Sequence, residues 1–198
     1  MSENKVQFNL KNVHYSVVTE TVTSGVTSYT YATPVAVPGA VTLTLDPVGD
    51  VTPFYADGQT YYQSVSNGGY SGDLEMARFP DAMLKDIWGF SEGSTSKVLT
   101  ESASAQPKSF ALLYQIDGDS SEQLYVLYNC TGTRPGIGST TTTETTEPQT
   151  QSSSITAVPR ADGKVLARTT ADTPAATSGS WFTSVFVEGA AVSGNNGD

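Results

Sequence analysis

The chain has 198 residues, enough for one domain with a sizeable core. Only 15% of residues are charged and the formal net charge is −10. That excludes the basic footprint of a nonspecific DNA or RNA binder, and phosphates and anionic membranes are repelled over roughly 8 Å at physiological salt.

A single cysteine, Cys130, rules out an intrachain disulfide framework. The polar start MSENKVQFNL carries no visible signal peptide, lipidation box or membrane span, so folding in a reducing cytoplasm is expected. Thr, Ser, Gly and Val dominate and Tyr is well represented, which favours short strands and turns: a mainly β domain.

Residues 6–19 alternate. Val6, Phe8 and Leu10 share one side, and Val13, Tyr15 and Val17 follow a bulge near Lys11 and Asn12. The pattern predicts one long strand or two short ones. Residues 20–39 are low in charge and punctuated by Gly25, Pro34, Pro38 and Gly39. They read as a long loop, and equally as a plain hairpin with a wide tip.

Residues 40–46 form a half-buried strand with Val41, Leu43 and Leu45 on one face, then a turn over 47–51. A β-prone run at 59–66 leads into Asn67, Gly68 and Gly69, whose tolerance of positive φ suits a tight hairpin turn. Residues 70–79 return as the second strand. One amphipathic helix is predicted over 80–88. Pro80 fits its first position and Asp81 complements its dipole. Met83, Leu84, Ile87 and Trp88 share one face, and Gly89 closes the end. So short a helix needs packing on a sheet to persist.

Residues 91–96 read as a loop and 97–101 as a short strand. Apolar strands at 110–116 and 124–130 flank a turn at 117–120. Residues 131–151 are rich in threonine; its strand preference favours a long polar hairpin over a linker. Ala161, Asp162 and Gly163 signal a further hairpin between 152–158 and 165–170. Trp181, Phe182, Val185 and Phe186 make a last apolar cluster, helical or extended. Residues 190–198 read as a disordered tail.

Chemistry is sparse. His14 and Cys130 could in principle pair as imidazole and thiol, but a structural histidine and a buried, inert cysteine are the better readings. Asp73 and Glu75 lie two apart, as glycosidase carboxylates can, yet solvated charges on a sheet explain them more simply. Asp117, Asp119 and Ser121 resemble the start of a calcium loop, but Glu122 stands where glycine is required and Tyr128 where glutamate is. No catalytic residue, cofactor site or metal site is expected.

Several segments together resemble the phage major tail protein family, the tail tube subunits of long-tailed phages of Gram-positive bacteria. They are NVHYSVVTE (12–20), YATPVAVPGAVTLTLDPVGDVTPFYADG (31–58), SNGGYSGDLEMARFPDAMLKDIWG (66–89), FALLYQIDGD (110–119), YVLYNCTGTRP (125–135), TEPQT (146–150) and WF (181–182). The resemblance implies a β-sandwich or barrel-like tail tube fold over 1–189, with one flanking helix, a long loop in the N-terminal half and no C-terminal immunoglobulin-like domain. It implies copies of the chain as partners, in hexameric rings stacked into a hollow tube.

Further implied partners are the tape measure, tail terminator and distal tail proteins. DNA would pass through the lumen without specific binding, and no membrane would be engaged. The location would be the virion tail, assembled in the bacterial host cytoplasm. The inter-ring loop would fall at 21–38, with Thr21, Tyr29, Tyr31, Pro34 and Pro38. Thr140, Thr142, Glu144 and Thr146 would belong to a strand of the lumen-side sheet. Two rival readings stand beside this one. One is a monomeric binding module, a virion decoration protein or glycan-binding adhesin. The other is a carbohydrate-active enzyme using Asp73 and Glu75.

Overall fold

A computed structural model describes residues 4–141 and 148–189. The chain opens with β1 (Gln7–Thr23), β2 (Val26–Tyr31) and β3 (Val35–Ala36). Then come β4 (Ala40–Val48), β5 (Val51–Ala56), β6 (Gln59–Val65), β7 (Gly69–Met76) and the helix α1 (Asp81–Trp88). The two-residue strands β8 (Ser91–Glu92) and β9 (Leu99–Thr100) pair with each other. They precede β10 (Phe110–Gly118), β11 (Glu122–Gly132), β12 (Gln151–Ala157), β13 (Leu166–Arg168) and the short helix α2 (Ala175–Gly179).

Among the described residues the main sheet runs β2-β1-β10-β11-β12-β7-β4, antiparallel throughout, with β3 also on β1 and β13 also on β11. β4 returns close to β1, so the sheet curls around its own inner face. The architecture is mainly β and sandwich-like, as the composition predicts.

The main core fills that curl. Tyr15, Leu74, Phe110, Leu112, Leu127 and Ile155 are buried in it. α1 covers it with Met83, Ile87 and Trp88, the apolar face read from the sequence. Trp88 Nε1 donates to Gly132 O at 2.9 Å, and its ring meets Phe79 edge-on at 5.5 Å. Tyr15 donates its hydroxyl to Asp86 at 2.7 Å, tying the helix to β1. Pro80 stands one residue before the helix, as its N-cap, and Gly89 ends it in the left-handed conformation with φ 72°.

The opposite face of β10 and β11 builds a second core. Ala111, Leu113, Val126 and Tyr128 lie beneath Trp181, Val185 and Phe186. Trp181 donates Nε1 to Tyr125 O and stacks on Phe186 at 5.3 Å. The terminal aromatic cluster is therefore a lid over one sheet face, neither strand nor α-helix, and follows the short α2.

Several expectations need correction. Residues 21–38 are not a long loop. They hold the end of β1, then β2 and β3, and the tip between β1 and β2 is tight rather than wide. The Asn67-Gly68-Gly69 stretch is not a hairpin turn. β7 pairs with β4 and β12, whereas β6 pairs with β5. Gly69 is needed because β7 starts so close to the end of β12 that a Cβ there would strike Ala157 O.

Val41 is exposed, since a bulge between Ala40 and Thr42 turns it outward while Leu43 and Leu45 pack inward. Val6 and Phe8 are exposed too, beyond the core. A bulge does occur at Lys11–His14, and a second lies between Phe8 and Leu10, with Asn9 and Asn12 at positive φ.

β12 and β13 are not hairpin partners. Both pair with β11, and residues 158–165 loop out between them. Residues 133–141 form no strand, although Thr133 and Gly136 donate to the backbone of Ser154 and Ser152. The tail at 190–198 lies outside the described residues.

Candidate functional site

Two hairpin arms project from this body. The first is the outer half of β1 with β2, from Val18↔Tyr31 to Thr23↔Val26. Pairing of β1 with β10 stops at Val17↔Phe110, so the arm extends past the sheet. Its tip is Ser24 and Gly25, with φ of 52° and 79°. Two successive left-handed residues make a turn whose twist matches that of the strands.

The second arm is β5 with β6, from Val51↔Val65 to Ala56↔Gln59. Its tip is Asp57 and Gly58, with φ of 51° and 74°, the same turn chemistry. It continues the β4–β7 pair, which ends at Val48↔Gly69. Gly68 N–H donates to Val48 O and Ser66 N–H to Asp50 O across the junction. Residues 40–76 are therefore one long ribbon. Asp-Gly between β-prone runs is a strong hairpin signal in the sequence, and it was the usable clue to this arm.

The arms differ at their surfaces. Along β2, Tyr29 and Tyr31 turn inward and are half-buried. Arg160, from the excursion between β12 and β13, lies against them. Its Cζ sits 4.6 Å from the Tyr29 ring centre, 5.9 Å from Tyr31 and 5.4 Å from Tyr128. Burial pushes the Tyr31 phenol up to about 12 even though the Arg160 charge pulls it down. The side chains of β5–β6 are open instead. Phe54 is 60% exposed, Tyr61 76% and Val65 75%, and Val51, Tyr55 and Tyr62 are also open. Val51 and Val65 lie on one face, Phe54 and Tyr62 on the other, so both faces are apolar and bare.

A third feature is the outer face of β4, β7 and β12. Thr44, Asp73 and Ser154 form one cross-strand row. Thr42, Glu75 and Ser152 form the next, and Asp46, Ser71 and Thr156 another. Ser154 Oγ donates to Asp73 at 2.7 Å, and Thr150 Oγ1 donates to Glu75. The face is a carpet of hydroxyls with carboxylates held among them. Asp73 and Glu75 are thus solvated charges of a sheet.

Of the residues assigned to an inter-ring contact, Thr21 is exposed on the first arm. Tyr29 and Tyr31 are engaged by Arg160 instead of facing outward. Pro34 is buried between β2 and β3, and Pro38 is exposed between β3 and β4. Of the lumen-side residues, Thr140 is exposed and outside any strand. Thr142, Glu144 and Thr146 lie outside the described residues.

His14 and Cys130 are not brought together. His14 stacks on Phe182 at 4.6 Å on one face of the sheet, while Cys130 lies in the main core. Burial pushes the Cys130 thiol up to about 12, which leaves it protonated and unreactive. Asp117 accepts from Lys11 at 2.9 Å and from Asn9 at 2.8 Å, and Asp119 accepts from the Lys5 N–H, so this turn is occupied by the chain itself. Among the described residues no group of His, Cys, Asp or Glu is arranged to hold a metal ion. No protein-family model and no curated protein matches the chain.

Proposed function

We propose that this chain is a structural subunit of a phage tail tube, which assembles with copies of itself into stacked rings around a channel for DNA. The observation that carries this reading is the β5–β6 arm. A two-stranded hairpin with nothing on either face is marginal in water. This one exposes Val51, Phe54, Tyr55, Tyr61, Tyr62 and Val65 together. Burying each such side chain against a neighbour would contribute about 1.5–3 kcal/mol before the cost of association. A second copy supplies that neighbour at every position of a ring or stack.

In this reading the first arm, with Thr21 near its end, and the second arm both reach toward the adjoining ring. The outer face of β4, β7 and β12 is a lumen surface. Asp46, Asp73 and Glu75 would repel phosphates there, while the hydroxyls stay hydrated. A duplex would then slide rather than bind. The family resemblance adds six-fold rings, with the tape measure, tail terminator and distal tail proteins at the tube's ends and along its bore.

Negative-stain microscopy of the concentrated purified protein is the test. Tubes of uniform width are expected. Particles that remain single at every concentration would remove the reading and favour a monomeric binding module.

A further inference from the structure

We propose that Arg160 is a positioning residue that sets the stance of the β1–β2 arm, and that the excursion between β12 and β13 exists to deliver it. β12 and β13 would make one continuous strand along β11 were it not for residues 158–165. That excursion closes on itself through Arg160 N–H to Lys164 O and Gly163 N–H to Arg160 O. It presses Arg160 inward until only 9% of the side chain is exposed.

Every polar contact there serves the arm, the turn or the C-terminal lid. Arg160 Nη1 donates to the Tyr31 hydroxyl at 3.2 Å, and Nη2 pairs with Asp162 at 3.2 Å. The Ala161 N–H donates to the Tyr29 hydroxyl at 3.0 Å. Lys164 Nζ reaches both Asp162 and Glu188 O, which ties the lid into the same turn. The guanidinium therefore joins arm, sheet and lid at one point: Tyr29 and Tyr31 on β2, Tyr128 on β11 and Glu188 through Lys164.

This arrangement is a poor device for stability. A buried cation is costly, and replacing one with an apolar side chain of similar volume is often neutral or favourable. Here Arg160 Nε is buried with no hydrogen-bond partner, so the site is not fully satisfied either. What the arginine supplies is direction. A planar fork with fixed donors and three ring contacts admits one arm orientation, whereas a methionine would admit several. The site matters because β1 has no β10 partner beyond Val17; Val18, buried in the second core with its N–H on Ser109 O, holds the base of the arm, and Arg160 adds the hold on Tyr29 farther out.

The test compares Arg160→Met, Arg160→Lys and Tyr31→Phe in the unassembled chain by amide hydrogen exchange. In Arg160→Met, exchange across residues 26–31 should rise about tenfold while 110–118 stays unchanged. Arg160→Lys keeps the charge without the fork and should fall between, and Tyr31→Phe should rise about threefold. Should Arg160→Met fail to fold, the other two variants carry the comparison.

Unchanged exchange at 26–31 in all folded variants would overturn the proposal. So would an equal rise in 110–118, which would mark a purely structural role. The consequence for assembly, a raised concentration for tube formation in Arg160→Met, rests on the tail tube reading. If the parent chain forms no tubes, that reading fails, while the exchange measurement still decides the role of Arg160.

Discussion

The β1–β2 and β5–β6 arms have the same tip geometry yet stand differently on the body. One is gripped at its base: Tyr29 and Tyr31 are folded inward against Arg160 and Tyr128. The other continues the β4–β7 ribbon and carries its aromatics outward on both faces. In the first arm the two tyrosines belong to the fold of the single subunit, while Val22 and Val26 near its tip are exposed. In the second the apolar side chains add almost nothing to that fold. The same residue type, Tyr on a short strand, thus does opposite work according to what the body places beside it.

Substitutions should separate these roles by their effect on the isolated chain's stability. Core residues set the scale. Trp88→Ala removes a fully buried ring and its hydrogen bond to Gly132, and should cost about 3–5 kcal/mol in denaturant unfolding. Tyr31→Phe, at the base of the gripped arm, should cost about 1 kcal/mol, the worth of one hydrogen bond. Phe54→Ala, on the bare arm, should change stability by less than about 0.5 kcal/mol. If tubes form, however, the same change should raise the concentration they require by at least about tenfold. A loss of 2 kcal/mol in the Phe54 variant would erase the contrast between the arms.

pH sharpens the comparison further. Burial raises the Tyr31 and Tyr128 phenols from 10.0 to about 12 in the folded chain. A raised folded-state value means that the stability is fully present below pH 10 and is lost as pH rises through about 12. The grip on the first arm should therefore loosen in that window, read as phenolate absorbance rising together with amide exchange at residues 26–31.

On the acid side, the hydrogen bond from Lys11 holds the Asp117 carboxyl below its usual 3.8. A depressed value stabilises above the unfolded-state value and is lost as pH falls below it. The turn joining β10 and β11 should thus fray below about pH 3.8 while both arms are unchanged. This is the smallest effect, because the pair is near the surface.

Much of the fold is legible in the residues. The alternation at 110–116 and 124–130 gives the central strands, and Met83, Ile87 and Trp88 give the buried face of α1. Asp57-Gly58 carries a tight-turn signal, while the more glycine-rich Asn67-Gly68-Gly69 reads as a hairpin turn and is none. Gly68 lies against Val48 of β4, and Gly69 answers to steric crowding against Ala157 of β12, a strand more than 80 residues away, which no local pattern contains. Nor could spacing reveal that residues 158–165 interrupt one line of pairing rather than join two hairpin strands. The outward turn of Val41 depends on a bulge against β7 for the same reason. Of the candidate contact residues, Thr21 is exposed on a strand of the first arm where a loop is expected, and nothing local shows that Tyr29 and Tyr31 face Arg160.

The sequence by itself determined the mainly β character, the helix ending at Gly89 and the absence of a disulfide framework. These follow from sterics and chemistry within a few residues of backbone. Only the tertiary structure decided which strands pair, which arm is gripped and which aromatics remain bare. Hydrogen bonding along a strand edge accepts almost any partner, and the partner chosen is the one whose distant side chains complete the core.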